Sequence, residues 1–338
     1  MPCSITAVDS GLKPSLNLQF NVLLEKQFGS NVLGIGYVGM RGHDLMMAIP
    51  DINRAVPSGT ATPNPRPYAA SAPRLTTIGY YTTQGVSQYN ALQVTFNRRL
   101  SKGLSFTTGF TYADSQDDIT GLGTSTGGYG NLSGGLASVV KNIRQYDWAT
   151  SDFNIKYRFS FGGNYQLPFF QSAKGFAGQV LGGWQLNGSL IWQTGLPFTV
   201  TDSTSTSGVI GLSTERPNLT GASLFTPSKT VGSTGQYLNP AAFALPASSA
   251  SGSTALGTEP RNVDYGPRQS VVNMSLFKTF RLTERFNLQF RTEVFNLPNH
   301  PVFGNPNTTF GNANFGTITQ LAGPYNPRQI QFALKLLF

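Results

Sequence analysis

Few residues in this chain are arranged as chemistry would require. Gly34-Ile35-Gly36-Tyr37-Val38-Gly39 spells GxGxxG, a pattern that cradles a pyrophosphate when it joins a strand to the start of a helix. Here it lies inside a β-like run from Val32 to Arg41, and Met40–Asp44 leads into a polar link. Its glycines are therefore expected to let the strand bend or to admit bulky neighbours. His43-Asp44 and Asp117-Asp118 offer a His/Asp pair and an acidic pair, residue types that can activate water in hydrolysis. Asp is equally at home in solvated turns, and that is the preferred reading. His300 stands between Asn299 and Pro301 without a recognisable partner. Cys3, the only cysteine, has no internal disulfide partner and belongs to no Cys/His cluster. No EF-hand spacing occurs either. The expectation is no enzymatic activity, no cofactor and no protein-held metal.

The elements around these residues are more informative. Apolar and polar residues alternate with period two, the signature of strands with one apolar face. Ile330, Phe332, Leu334, Leu336 and Phe338 alternate with Gln329, Gln331, Ala333, Lys335 and Leu337. Phe153, Ile155, Tyr157, Phe159 and Phe161 alternate with Asn154, Lys156, Arg158, Ser160 and Gly162, and the run continues through Leu167. Similar runs begin at Leu16, Leu92, Leu104, Trp184, Val272 and Phe286. With the glycine-diluted run at Val32–Arg41, about nine strands are expected, each long enough to cross a bilayer at a tilt. Leu75–Thr83 also looks β-like and is read as an outward continuation of the strand that follows it.

The links alternate too. Gly29-Ser30, Ser101-Lys102-Gly103 and Arg281–Glu284 are short, and Pro168–Gly183 is longer. On the other side run long polar links over roughly 42–87, 116–147, 201–269 and 297–327. Short turns on one side and long loops on the other are the pattern of outer-membrane barrels, with the C-terminus on the periplasmic side.

Composition separates this reading from its rivals. Only 12% of residues are charged, about half the usual share. No run of 18 apolar residues is present, so no membrane-spanning helix is expected. The net charge of +9 is spread thinly, with no cationic run longer than Arg98-Arg99, whereas a nucleic-acid groove concentrates cations among aromatics. A soluble sandwich would also alternate. Here, however, the apolar faces carry almost no charge, the exception being Lys278, whose stem is expected to snorkel to the interface. The opposite faces carry Lys156, Arg158, Arg291, Glu293 and Lys335, as a wet lumen allows. Aromatics at strand ends (Tyr37, Tyr112, Tyr165, Phe280, Phe286 and Phe338) fit interfacial girdles. The fold class expected is all-β, an antiparallel transmembrane β-barrel over residues 1–338. Bacterial single-chain barrels have an even strand count, and Met1-Pro2-Cys3-Ser4 lacks the marks of a signal peptide. A C-terminal portion of a larger barrel is therefore expected.

Pro327–Phe338 resembles the last strand of TonB-dependent receptors of the Oar-like kind. Tyr89–Gln93, Arg98–Phe106, Tyr165–Pro168, Asn239–Phe243 and Arg291–Pro301 fit the same group. The resemblance implies a barrel of about 22 strands with a plug, energised through TonB, that takes up an unidentified substrate. Plug, TonB-contacting segment and N-terminal domain have no counterpart here, so TonB is implied as a partner only through the missing plug. Phe338, Leu336, Leu334 and Phe332 look like the signal read by the barrel assembly machinery. Outer-membrane lipid is the other implied partner. The alternative is a surface, adhesion or assembly protein whose barrel anchors long extracellular loops.

Overall fold

The computed structural model describes residues 2–49, 51–53, 65–118, 130–131, 147–170, 175–202, 216–229, 231, 235–246, 257–323 and 326–338. After a short first strand, β1 (Cys3–Val8), the described residues form nine long strands, with two-residue strands between some of them: β2 (Leu16–Phe28), β3 (Asn31–Ile49), β4 (Leu75–Ser101), β5 (Leu104–Asp117), β6 (Tyr157–Gln166), β7 (Trp184–Gln193), β8 (Gln269–Arg281), β9 (Asn287–Phe295) and β10 (Gln329–Leu337). Each of the nine bonds to its neighbours in sequence, all antiparallel, so the sheet is a simple meander from β2 to β10.

Directly opposed residues in an antiparallel pair project to the same face, so register tests the alternation residue by residue. One row runs Leu24, Ile35, Val94, Phe110, Phe159, Trp192 across β2 to β7. Another runs Leu186, Leu276, Thr292, Phe332 across β7 to β10. Ring contacts knit this face together: Phe106 lies 5.6 Å from Phe96 and 6.0 Å from Phe161. The opposite face is polar, with a row Ser105, Asn164, Asn187, Ser275, Glu293, Gln331. The apolar face is also bare: Phe332 and Leu334 are each 68% exposed.

The GxGxxG run is extended strand within β3. A Cβ on Gly39 would collide with the Phe20 ring on β2, so that glycine makes room for a bulky neighbour. Register places Lys26 beside Leu33, Arg98 beside Phe106 and Arg41 beside Leu18, so the apolar face carries these three cations as well as Lys278. Lys26, Arg98 and Lys278 lie toward the short-turn end, and Arg41 lies toward the long-loop end with its guanidinium over the Phe20 ring.

At that end Lys102 and Gly103 both have positive φ (51° and 78°) between the paired Ser101 and Leu104, the two-residue hairpin geometry that matches strand twist. Leu75–Thr83 is the outward part of β4, as expected, and β1 pairs with it in parallel. Several expectations are corrected. The link expected from about residue 42 begins only after Ile49, because β3 runs on through Met40–Asp44 and keeps pairing with β4. Lys278 is not the one charge on the apolar face, since register adds Lys26, Arg41 and Arg98. The strand assigned from Phe153 begins at Tyr157, because residues 151–154 turn and the Asn154 side chain bonds the Ser115 amide and the Tyr265 hydroxyl. The Pro168–Gly183 link contains a short helix, α1 (Gly175–Leu181), and through it the structure also departs from the snorkelling expected of Lys278. That residue is only 2% exposed and donates to the Gly182 carbonyl, with the Trp184 and Phe280 rings beside it.

Candidate functional site

At the long-loop end, described parts of the polar links pack together. Segments from residues 196–268 and 302–321 interlock. Pro197–Phe198 pairs with Asp264–Tyr265, Thr201–Asp202 with Thr309–Phe310, and Asn218–Leu219 with Phe243–Ala244. Asn239 caps the 3-10 turn Pro240–Ala242, its side chain accepting from the Ala241 amide, and this delivers Phe243 inward. Phe198, Val200, Leu238, Phe243, Phe315 and Ile318 form a buried core, with Phe315 edge-on to Phe243 and Phe310 at 5.5 and 5.2 Å. The described parts of the two longest links of the C-terminal half thus make one packed cap.

The cap is pinned to the strand ends by buried charge. Arg261 is fully buried and donates to Asp152 Oδ1 (3.2 Å), to the Asp147 carbonyl (3.1 Å) and to the Asp117 carboxylate at the end of β5. Asn262 adds bonds of 2.6 Å to the Thr150 carbonyl and to Asp152. Arg216 pairs with Asp147 at 3.1 Å, both buried. Glu259 accepts from the Val200 amide at 3.0 Å. Buried charges persist only when paired and hydrogen-bonded, so this arrangement fixes where the cap sits.

The acidic pair of the sequence is absorbed here. Asp117 is neutralised by Arg261, and Asp118 accepts from the Val86 amide at 2.8 Å. His43 is exposed beside Asp44, whose backbone carbonyl accepts from Ser15 and whose φ is 52°. Register places His43 opposite Leu16 on β2, while Asp117 opposes Ser87 on β4. His300 is exposed, and its backbone exchanges bonds with the Asn296 side chain. The sequence reading missed Arg261, Arg216 and Glu259. The available signal was that ionisable residues next to Pro217 and Pro260 sit in an otherwise charge-poor link.

Burial raises two cap carboxyls. Glu259 is pushed up to about 8 by desolvation, against the Val200 amide and Arg216. Asp147 is pushed up to about 6 by desolvation, against Arg216 and Arg261. A carboxyl raised by folding binds its proton more tightly in the closed cap, so its contribution weakens as pH rises from the unfolded to the folded value. That window runs from 4.5 to about 8 for Glu259 and from 3.8 to about 6 for Asp147. Hydrogen exchange at the Val200 amide should accelerate between pH 6 and 8.5 beyond the intrinsic rate, and Glu259→Gln should flatten that trend. A wild-type trend identical to that of the variant would remove the assignment.

Residues 1–331 match the family model of the outer membrane beta barrel domain. The chain belongs to that family. No curated protein matches the sequence. Among solved structures, the outer-membrane transporter YddB of Escherichia coli is similar at 13% identity and TM-score 0.47, over 98% of this chain and 33% of that one. BauA, the ferric preacinetobactin receptor of Acinetobacter baumannii, is similar at 11% and 0.45, over 95% and 29%. The ferric-catecholate import receptor Fiu of E. coli K12 is similar at 9% and 0.46, over 97% and 28%. The chain therefore spans about a third of the length of these proteins.

As an outer-membrane barrel chain, it belongs to the bacterial outer membrane, with its apolar face toward lipid, its short turns periplasmic and its long links extracellular. Lys26, Arg98 and Lys278 then lie toward the periplasmic interface, where a cation costs about 0–1 kcal/mol rather than about 2–4 at the midplane. On the polar face, Arg158 stands in register with Thr111 and Gln193, Glu293 with Ser275 and Gln331, and Lys335 with Gln289. Arg291 stands in register with Phe277 and Ala333, its guanidinium 4.7 Å from the Phe277 ring and bonded to Gln289. Lys156 lies just before β6, and its carbonyl accepts from Ala113.

Proposed function

We propose that this chain is the C-terminal wall of a TonB-dependent outer-membrane transporter of the Oar-like kind, taking up a scarce nutrient. The observation that carries the reading is the open meander: among the described residues, no strand pairs along the far edge of β2 or of β10. In lipid each unpaired amide costs several kcal/mol, so both edges call for further strands, and the closed barrel is larger than nine. A barrel of about 22 strands encloses a lumen that holds a plug. Lys156, Arg158, Arg291, Glu293 and Lys335 then line that lumen, and TonB engages the plug rather than this wall. The motifs of Pro327–Phe338 and Arg291–Pro301 support the same assignment.

Phe332, Leu334, Leu336 and Phe338 form the recognition strip for the assembly machinery. They are 68, 68, 49 and 95% exposed along the free side of the sheet. Phe338→Ser should sharply reduce the folded, heat-resistant barrel in outer-membrane fractions; unchanged insertion would remove the signal role.

Untargeted solute analysis of spent medium tests transport without a known substrate. Cells with the full-length protein should deplete at least one solute that deletion cells and TonB-deficient cells leave behind. Identical depletion profiles in all three would contradict uptake.

A further inference from the structure

We propose that the recess between α1 and the periplasmic ends of β7 and β8 binds the headgroup and upper chains of an anionic phospholipid from the inner leaflet of the outer membrane. The inference rests on outer-membrane placement and does not depend on transport. Register puts Lys278 on the lipid-facing side beside Trp184 and Phe290. Lys278 is nevertheless only 2% exposed, and Gly182, just after α1, accepts from its ammonium. Beyond that contact α1 presents Phe176 at 82% exposure, with Val180 and Leu181, while Phe169 and Phe170 are bare just before it. Such a surface suits the boundary between headgroups and acyl chains better than water.

Beneath the link lies a cavity of about 970 Å³. Trp184, Phe280 and Leu288 line one part of it and continue the lipid-facing rows. Gln179 and Arg281 line another, both exposed; Arg281 is the last residue of β8, in register with Asn287 on the polar-face side, and reaches the cavity from the rim. Lys278 also borders it, and no carboxylate among the described residues does. A wall apolar on the bilayer side and cationic at the rim matches an amphiphile with a negative headgroup. A free anion would leave the Trp184–Phe280–Leu288 part of the wall unused.

Native mass spectrometry of the full-length protein, released from nanodiscs of phosphatidylethanolamine with phosphatidylglycerol, tests this. Phosphatidylglycerol should be retained in preference to phosphatidylethanolamine, and Arg281→Gln should lower that preference about fivefold, the worth of one interfacial cation. Gln179→Glu, on the exposed helix, should lower it similarly and serves if the first variant does not insert. Equal retention of both lipids, retention unchanged in the variants, or displacement by millimolar inorganic phosphate would each overturn the assignment.

Discussion

Replacing Arg261 by alanine is expected to free the extracellular cap from the barrel wall while leaving the wall in the membrane. The side chain is fully buried and serves Asp117, Asp147 and Asp152 at once. Its removal leaves the buried Asp117 carboxylate without its paired cation, a defect of about 3–5 kcal/mol. Lysine should not rescue it, because one ammonium cannot reproduce a planar fork with five donors. Protease added to intact cells should cut within the 201–269 link of the variant much faster than in the parent, and membrane insertion should be unchanged. Equal protection of both would mean that the hydrophobic core around Leu238 and Phe243 holds the cap unaided.

The second large effect separates the two faces of one strand. Leu190 pairs with Phe161 and Val272 in the middle of the lipid-facing rows. Asn187 pairs with Asn164 and Ser275 on the other face, and its side chain bonds Ser275 Oγ at 3.3 Å. Leu190→Arg should destabilise the folded barrel by about 2–4 kcal/mol, the midplane cost of a guanidinium. Asn187→Arg should cost far less, because its charge stays hydrated. Urea titration of the full-length protein in lipid vesicles gives both values. Leu288 makes a weaker probe than Leu190: it is the second residue of β9 and faces Phe280 and Leu336 near the periplasmic rim. Equal costs at Leu190 and Asn187 would mean that the faces are reversed or that both are wet.

The wall was legible in the sequence because its two faces meet different media. Lipid on one side and polar surroundings on the other impose a period of two, and register returned the same residues to the same face from Leu24 to Phe332. The cap was not legible. Phe198, Leu238, Phe243 and Phe315 come from irregular segments far apart in the chain, and no periodicity announces a core assembled that way. Arg261 read as one more loop cation because its partners lie more than a hundred residues earlier. The error at Lys278 has a similar root. Its position on the lipid-facing side could be read, but not that the Gly182 carbonyl, just after a seven-residue helix, accepts from it. The strand start at Phe153 was misplaced because alternation persisted across residues whose side chains serve a turn.

Site-directed spin labelling along β7, in the full-length protein embedded in outer-membrane lipid, tests the central claim most directly. Labels at positions 184 to 193 report collision with dissolved oxygen, which concentrates in the bilayer, and with a water-soluble nickel chelate. Positions Leu186, Leu190 and Trp192 should favour oxygen, and Gln185, Asn187, Ser189 and Gln193 should favour the chelate, alternating residue by residue. Uniform accessibility, or the opposite phase, would contradict a wall with lipid on one face and a polar lumen on the other.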